Sequence, residues 1–138
     1  MTDVIPQGWQ EIAATSNFTD LVGPICRRVE DDGTVLFGMR ITDKHLNKRD
    51  VAHGGVLMTL MDNLLGRMIR EVSGEENLAT ATIELDNKFI GSVRKNDFVV
   101  GRGEVVRRTR SLVFLQGTLT VDDRTVFTAS GVWKLLGR

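Results

Sequence analysis

His53, Gly54 and Gly55 form a short motif whose backbone could bind a carbonyl oxygen. The motif follows a polar loop and precedes an apolar run, so we predict that it opens a helix, whose first N–H groups have no partners within the helix. Two glycines leave this backbone sterically bare, and a ligand can therefore approach it closely. The motif predicts an oxyanion-type donor site, which would stabilise an oxygen that gains charge during attack at a carbonyl.

Asp62 is the candidate carboxylate of the same helix, about two turns beyond the motif. Its neighbours Met61 and Leu64 are apolar, and a carboxylate is costly to bury beside them unless its charge is compensated. Such a carboxylate is a candidate general base or nucleophile. Gly54 and Asp62 lie about 12 Å apart along the helix axis, so both could act on one substrate only if a second subunit supplied one of them. The spacing therefore predicts a dimer.

An alternative interpretation places Asp62 on a solvent-facing stripe of the helix. Five residues share the helical spacing of such a stripe: Thr59, Asp62, Asn63, Gly66 and Arg70. Asn63 also competes with Asp62 for the functional role, because either side chain could face the site. The sequence alone leaves both questions open.

The elements that position these residues are one apolar helix and a set of strands. We predict a largely buried helix of about 16 residues, from Gly54 to Ile69, that is ended by Ser73 and Gly74. Alternation predicts a strand with one buried face at Val35–Ile41, and further strands at Ala79–Ile90, Phe98–Val106, Leu112–Val121 and Thr125–Leu135. Short connections favour an antiparallel meander of the later strands. A short N-terminal helix is expected from Gly8 to just before Ser16.

Size and composition limit the classes of protein to be considered. The 138 residues predict a single domain spanning 1–138. The 18 basic and 18 acidic residues cancel, which argues against nucleic acid or an anionic membrane as partner. No run approaches the ~20 apolar residues of a membrane helix, the N-terminus lacks the pattern of a signal peptide, and the lone Cys26 cannot form an internal disulfide. We therefore expect a cytoplasmic protein.

Metal ligands are scarce in the sequence. His45 and His53 are the only histidines, and no carboxylate accompanies them at a ligand spacing. No metal site is therefore predicted.

Asn47, His53 and Asp62 carry a resemblance to a known family. Asn47 lies six residues before His53, and Asp62 lies nine residues after it. This pattern is similar to the signature of the hotdog thioesterases of the phenylacetate-degradation type, which act on acyl-CoA thioesters. The resemblance covers roughly residues 33 to 135 and includes the strand that begins at Ala79–Thr82 and the terminal segment Gly131–Lys134. It implies the hotdog fold, an α+β fold in which a curved antiparallel sheet wraps around one long central helix.

The resemblance also implies a role for each residue of the motif. Asp62 would activate water or attack the thioester carbon, and the Gly54 N–H would polarise the thioester carbonyl across a dimer interface. Asn47 would help to place the carbonyl near the Asp of the opposite subunit, His53 would orient the loop or assist the carbonyl, and Thr82 would hold the attacking water. The residues alone leave simpler roles open: an Asx-turn for Asn47, a helix-capping loop for His53 and an ordinary strand position for Thr82.

Coenzyme A would enter as part of the substrate, so no separate cofactor is expected. Gly55 and the densest basic cluster of the chain are its candidate contacts, because arginine suits phosphate groups. That cluster lies at a predicted turn and comprises Arg107, Arg108, Thr109, Arg110 and Ser111. A merely solvated turn is the alternative. The sequence offers four candidates for the acyl pocket and does not rank them: Trp9, Phe18, Leu57 and Met61.

Two other activities are compatible with the same fold. A non-catalytic acyl-CoA sensor would need no acid, so Asp62 argues against it. An enoyl-CoA hydratase or dehydratase would act without releasing a free thiol. For the thioesterase itself we expect a homodimer, with dimers that pair into tetramers.

Overall fold

The computed structural model describes residues 5–13 and 16–137. In these residues seven strands form one antiparallel sheet of order β1-β2-β3-β5-β6-β7-β4. The strands are β1 Gln10–Glu11, β2 Cys26–Val29, β3 Val35–Arg40, β4 Thr80–Phe89, β5 Phe98–Arg108, β6 Leu112–Val121 and β7 Arg124–Leu135. A short helix, α1 (Asn17–Val22), precedes β2, and a long central helix, α2 (Gly54–Ser73), is wrapped by the sheet. The predicted α+β hotdog architecture is confirmed.

The hydrophobic core lies between α2 and the sheet. Four residues of α2 are 0% exposed there: Leu60, Met61, Leu64 and Leu65. Two glycines of the sheet let the helix approach closely, because a Cβ on Gly103 would lie 2.8 Å from Met68 Cγ and a Cβ on Gly117 would lie 2.6 Å from Met61 Sδ. Larger residues at these two positions would have to displace α2 from a close-packed core.

Helix α2 has 20 residues and is longer than predicted. It begins at Gly54 as predicted and ends before Gly74, whose φ of 68° lies in the left-handed region. The apolar pattern stops at Ile69, because the last turn is anchored by charge: the Glu71 carboxylate accepts two hydrogen bonds from the Arg27 guanidinium of β2, each at 2.7 Å. An ion pair with the sheet therefore replaces apolar burial at this end.

Strand β4 lies at the edge of the sheet, and the predicted meander is wrong on this point. β5, β6 and β7 pair in chain order, but β4 pairs with β7 and not with β5. Helix α2 lies between β3 and β4 in the chain, so these two strands need not be neighbours in the sheet. β3 pairs with β5 instead, and β4 lies beside β7 at the opposite edge of the sheet from β1. Within the described residues no strand pairs with the outer side of β4, and most of its ten residues are exposed.

Strand β3 is buried on both faces, although its alternation predicted one buried face. Phe37 belongs to the core, while Leu36 is 4% exposed on the opposite side. The rings of Trp9 and Phe98 cover that side: they pack edge-to-face 5.0 Å apart and lie against Gly38. The N-terminal segment therefore shields the outer face of β3, which a local pattern cannot indicate.

The predicted helix from Gly8 is wrong. Gln10–Glu11 forms β1, which pairs with β2, and α1 begins only at Asn17, where the Ser16 hydroxyl caps it by accepting a hydrogen bond from the Thr19 N–H at 3.2 Å. The part of that prediction which falls on residues 14–15 lies outside the described residues. Pairing with β2 overrides the weak local helix signal.

Candidate active site

The start of α2 presents one backbone N–H group without a protein acceptor. His53 caps the helix, since its Nδ1 accepts a hydrogen bond from the Gly55 N–H at 2.9 Å. Within residues 5–13 and 16–137 the Gly54 N–H meets no hydrogen-bond acceptor, and the positive end of the helix dipole lies here. Gly54 is thus the donor available to a substrate oxygen. Gly55, predicted as a substrate contact, has its N–H occupied by the cap.

Phe89 links this donor to the edge strand. A Cβ on Gly54 would lie 2.8 Å from Phe89 Cε1, so the aromatic ring rests on the bare glycine. Phe89 ends β4 and packs edge-to-face on Phe127 at 5.1 Å, yet it is 55% exposed. The N-terminal end of α2 therefore lies beside the C-terminal end of β4.

Asp62 and Thr82 are in direct contact. The Thr82 hydroxyl donates a hydrogen bond to Asp62 Oδ1 at 2.6 Å. Thr82 precedes a β-bulge at which β4 shifts register against β7 before Glu84; bulges of this kind re-aim neighbouring side chains. The second carboxylate oxygen of Asp62 has no protein partner in the described part of the chain. Two residues that the sequence placed 20 positions apart thus form one polar pair.

Asp62 and Asn63 differ in their contacts. The Asn63 side chain is used by the fold, since it donates to Thr19 Oγ1 of α1 at 3.2 Å and accepts from Arg67 Nε at 2.6 Å. Asp62 faces β4 instead and is half-buried. The five residues of the predicted stripe on α2, from Thr59 to Arg70, are all half-buried. The functional and the stripe interpretations are therefore compatible, because the candidate site lies on that stripe.

Asn47 closes a tight loop before α2. Its Oδ1 accepts hydrogen bonds from the N–H groups of Arg49 and Val51, at 2.8 and 3.4 Å, and its own N–H donates to the Val51 carbonyl at 2.8 Å. This is the Asx-turn that the residue type alone had left open. The side-chain NH₂ has no acceptor among the described residues, so it is available to a ligand.

His45 is a residue of the site region that sequence reasoning missed. It is 2% exposed, its Nδ1 accepts from the Thr42 N–H at 3.0 Å, and its Nε2 donates to the Val22 carbonyl of α1 at 2.6 Å. Its backbone carbonyl accepts from the His53 N–H at 2.8 Å. His45 therefore ties α1 to the residue that caps α2. The spacing of Thr42 and His45, which form a capping box, was the signal that could have revealed it.

The free energy of unfolding should depend on His45 in mildly acidic solution. Burial lowers the pKa of the His45 imidazole below its ordinary 6.5, and Lys44 adds to the effect. As the pH falls below that value, the unfolded chain binds a proton that native His45 does not, so stability decreases. We expect His45→Gln to decrease less in stability than wild type between about pH 7.5 and 5.5, measured by urea unfolding. Equal slopes for His45→Gln and wild type would contradict the assignment.

The predicted phosphate cluster lies at the other end of α2 from Gly54. Arg108 donates to Ser73 Oγ at 2.7 Å and lies 3.7 Å from the Glu75 carboxylate, so its charge is partly neutralised. The Thr109 hydroxyl bonds the backbone of Leu112, and the Ser111 carbonyl accepts from the Leu135 N–H. Arg107 and Arg110 are exposed. Within one copy of the chain this cluster cannot contact the same end of a ligand as Gly54.

The four candidates for the acyl pocket differ in burial and packing. Leu57 and Met61 are core residues, at 3% and 0% exposure, and Trp9 packs on Phe98; Phe18 of α1 is 59% exposed. A cavity of 650 Å³ lies on the outer face of the sheet, and no predicted catalytic residue lines it. A single copy of the chain therefore leaves the Asp62 site open along the edge strand.

The described residues contain neither a helix that could span a membrane nor a cluster that could hold a metal ion. In residues 5–13 and 16–137 no helix is sufficiently long and apolar to cross a membrane. The same residues contain no group of three or more His, Cys, Asp or Glu side chains placed to hold a metal ion.

Comparison with known sequences identifies relatives over most of the chain. The sequence profile of the thioesterase superfamily matches residues 50–128. A candidate esterase of Pseudomonas aeruginosa is 32% identical over 131 residues, which cover 95% of this chain and 97% of the relative. Human acyl-coenzyme A thioesterase 13 is 21% identical over 120 residues, covering 87% of this chain and 84% of the relative.

Solved structures share the fold. A Bacillus halodurans protein crystallised with CoA superposes with a TM-score of 0.80 at 19% identity, over 92% of this chain and 83% of that chain. The Escherichia coli PaaI protein, from the phenylacetic acid degradation operon, superposes with a TM-score of 0.75 at 18% identity, over 89% of this chain and 86% of that chain. The likeness confirms the architecture that the His53–Asp62 motif implied.

Proposed function

The chain belongs to the thioesterase superfamily and is a thioester hydrolase, and we propose that its substrate is an acyl-CoA, which it hydrolyses to the free acid and CoA with Asp62 as the catalytic carboxylate. The observation that carries this proposal is the hydrogen bond from the Thr82 hydroxyl to Asp62 at 2.6 Å, on an open face of α2. The name of the human relative and the CoA in the Bacillus halodurans structure support the choice of a CoA thioester.

Asp62 has the surroundings that a general base or nucleophile needs. The Thr82 hydroxyl holds Oδ1, and the other oxygen is directed to no protein group in the described residues. That oxygen accepts the proton of a water whose oxygen attacks the thioester carbon, or attacks this carbon itself. In the first route the C–S bond then breaks, the CoA sulfur takes up a proton and leaves as the thiol, and the free acid remains. In the second route the same cleavage leaves an anhydride between the acyl group and Asp62, and a water hydrolyses this anhydride to release the acid and restore the carboxylate.

Gly54 supplies the complementary charge. Its N–H, at the positive end of a 20-residue helix, would donate to the thioester oxygen as negative charge develops there. The side-chain NH₂ of Asn47 would add a second donor. The eight residues between Gly54 and Asp62 correspond to about 12 Å of helix, so one copy of the chain cannot apply both groups to one carbonyl.

A second copy joined along β4 would complete the site. A two-fold axis through the middle of β4 pairs this strand with itself in antiparallel orientation, so that its Thr82 end faces the Phe89 end of the other copy. Because Thr82 contacts Asp62 and Phe89 rests on Gly54, this pairing would bring Asp62 of one copy beside the partner's Gly54. A long exposed edge strand with apolar residues also invites such pairing. Pairing of dimers into tetramers stays a prediction.

A charge on the outer edge of β4 should weaken the dimer. Ile83 is 58% exposed there, and lysine on an edge strand opposes strand addition. We expect Ile83→Lys to raise the dimer dissociation constant by at least about tenfold and to lower turnover with it, measured by analytical ultracentrifugation and by thiol release. Val106→Lys, on β5 and 59% exposed, is the matched control. A wild-type chain that stays monomeric at assay concentrations would contradict the proposed pairing.

Arg107 and Arg110 are the proposed phosphate contacts of CoA. Both are exposed and make no ion pair within residues 5–13 and 16–137, whereas Arg108 is engaged by Glu75. Guanidinium groups bind phosphate oxygens in pairs. These residues would act at a distance from the reacting carbon, so they would affect KM more than kcat.

The first experiment is thiol release from a panel of aryl-, short-chain and long-chain acyl-CoAs, followed with a disulfide reagent. We expect turnover of at least one substrate. Absence of thiol release while acyl-CoA still binds would favour a sensor. Conversion of an enoyl-CoA without release of thiol would favour a hydratase.

A further inference from the structure

Gly66 is a glycine in the interior of α2 that packing does not require. Apart from the backbone of its own helix, a Cβ at this position would meet two atoms within 4 Å, Thr80 Oγ1 and Trp133 Nε1, each at 3.9 Å. Both distances are ordinary van der Waals contacts. Gly103 and Gly117 differ, because a Cβ on either would collide with α2. Since glycine in a helix interior is less stable than alanine, Gly66 lowers stability without serving the core.

Trp133 directs an unused donor at this bare surface. The residue is 1% exposed, and its indole N–H has no hydrogen-bond acceptor among the described residues. The indole nitrogen is not among the fully buried side-chain atoms without a partner, so it keeps contact with solvent and is open to a ligand. The half-buried Thr80 hydroxyl lies beside it and also has no protein partner in residues 5–13 and 16–137. Two donors therefore converge on the space that a side chain at position 66 would fill.

The donors are continuous with the candidate catalytic pair. Gly66 lies four residues beyond Asp62 on the same face of α2, about 6 Å along the helix axis. Thr80 precedes Thr82 by two residues, so both side chains lie on one face of β4. A substrate whose thioester lies at Asp62 would extend over Gly66.

We infer that Gly66, Thr80 and Trp133 form a donor subsite that binds an acceptor oxygen of the substrate, a few bonds away from the thioester carbon. This inference rests on the proposed function. Two parts of an acyl-CoA carry such an oxygen: a hydroxylated acyl group, and the first amide carbonyl of the pantetheine arm. Both present the same chemistry to the subsite, and substrate probes separate them.

Gly66→Ala tests the subsite, because it fills the space without a steric clash. We expect the variant to raise the melting temperature by about 3 °C and to lower kcat/KM by about tenfold. Thr80→Val should lower kcat/KM in the same substrates, while Thr118→Val, on the outer face of the sheet, should not. An unchanged kcat/KM in Gly66→Ala would overturn the subsite. A change in oligomeric state in this variant would also overturn it, because position 66 would then be part of an interface.

The probes identify the oxygen. Benzoyl-CoA is compared with its para-hydroxy analogue, and butanoyl N-acetylcysteamine with the butanoyl S-ethyl thioester, which lacks the amide. A loss in Gly66→Ala confined to the hydroxylated acyl group supports the acyl oxygen, and a loss confined to probes with the amide supports the pantetheine arm. An equal loss for every probe, the S-ethyl thioester included, overturns the inference. The proposed function is tested separately: the wild type should hydrolyse the thioester, and Asp62→Asn should not. A failure of the subsite can therefore be told apart from a failure of the proposed function.

Discussion

Asp62→Asn is expected to lower kcat for thioester hydrolysis by at least about 10²-fold, the scale of a general-base contribution. Asparagine has nearly the shape of aspartate, and its Oδ1 can still accept the hydrogen bond that the Thr82 hydroxyl makes at 2.6 Å. The contact between α2 and β4 should therefore survive, while the group that accepts a proton or attacks carbon is lost. The measurement is thiol release under saturating substrate, together with the melting temperature.

Asp123→Asn is the matched control for this loss. Asp123 lies in the turn before β7 with a φ of 66°, a conformation that asparagine tolerates at least as well, and within the described residues no hydrogen bond or ion pair joins it to α2. We expect wild-type turnover from this control. Wild-type turnover from Asp62→Asn would remove Asp62 from the mechanism.

Gly54→Pro is expected to lower kcat by about 10²- to 10³-fold, as loss of one oxyanion donor does. The structure makes this substitution a sharp test. Gly54 is the first residue of α2, where proline is well tolerated, and its N–H has no acceptor to lose in the described residues. His53, with φ −61° and ψ 136°, already has the extended conformation preferred before proline. Circular dichroism and the melting temperature should therefore stay close to wild type.

Gly54→Ala separates the effect of losing the N–H from the effect of adding a side chain. Both variants place a Cβ against Phe89, whose exposed ring can move aside, but alanine keeps the donor. We expect Gly54→Ala to retain most of the wild-type kcat. An equal loss in both variants would assign the effect to Phe89 and would contradict the donor role of Gly54.

The features that the sequence predicted well are those that depend on residues close together in the chain. The His53–Gly55 motif opens α2 because a capping side chain and two glycines define a helix start locally. The apolar run of α2 and the long strands β5 to β7 follow from periodicity alone. Asp62 was proposed as the candidate carboxylate because it interrupts that run, and its catalytic role stays a prediction.

The errors concern contacts between distant segments. The edge position of β4 depends on its pairing with β7, the last strand of the chain. The strand at Gln10–Glu11 depends on its pairing with β2. The second buried face of β3 depends on Trp9, which comes from a remote segment. His45 was missed because its role arises from Val22, 23 residues away. Local patterns carry no information on such partners.

We propose that each active site combines Asp62 of one subunit with the Gly54 N–H of the other. A heterodimer of Asp62→Asn and Gly54→Pro subunits, selected with two different affinity tags, tests it most directly. We expect this heterodimer to contain one intact site and one doubly altered site, and hence to show about half of the wild-type turnover per dimer, although each variant homodimer is nearly inactive. If both groups acted within one subunit, every site of the heterodimer would carry one substitution. Turnover as low as that of the homodimers would then contradict the shared site.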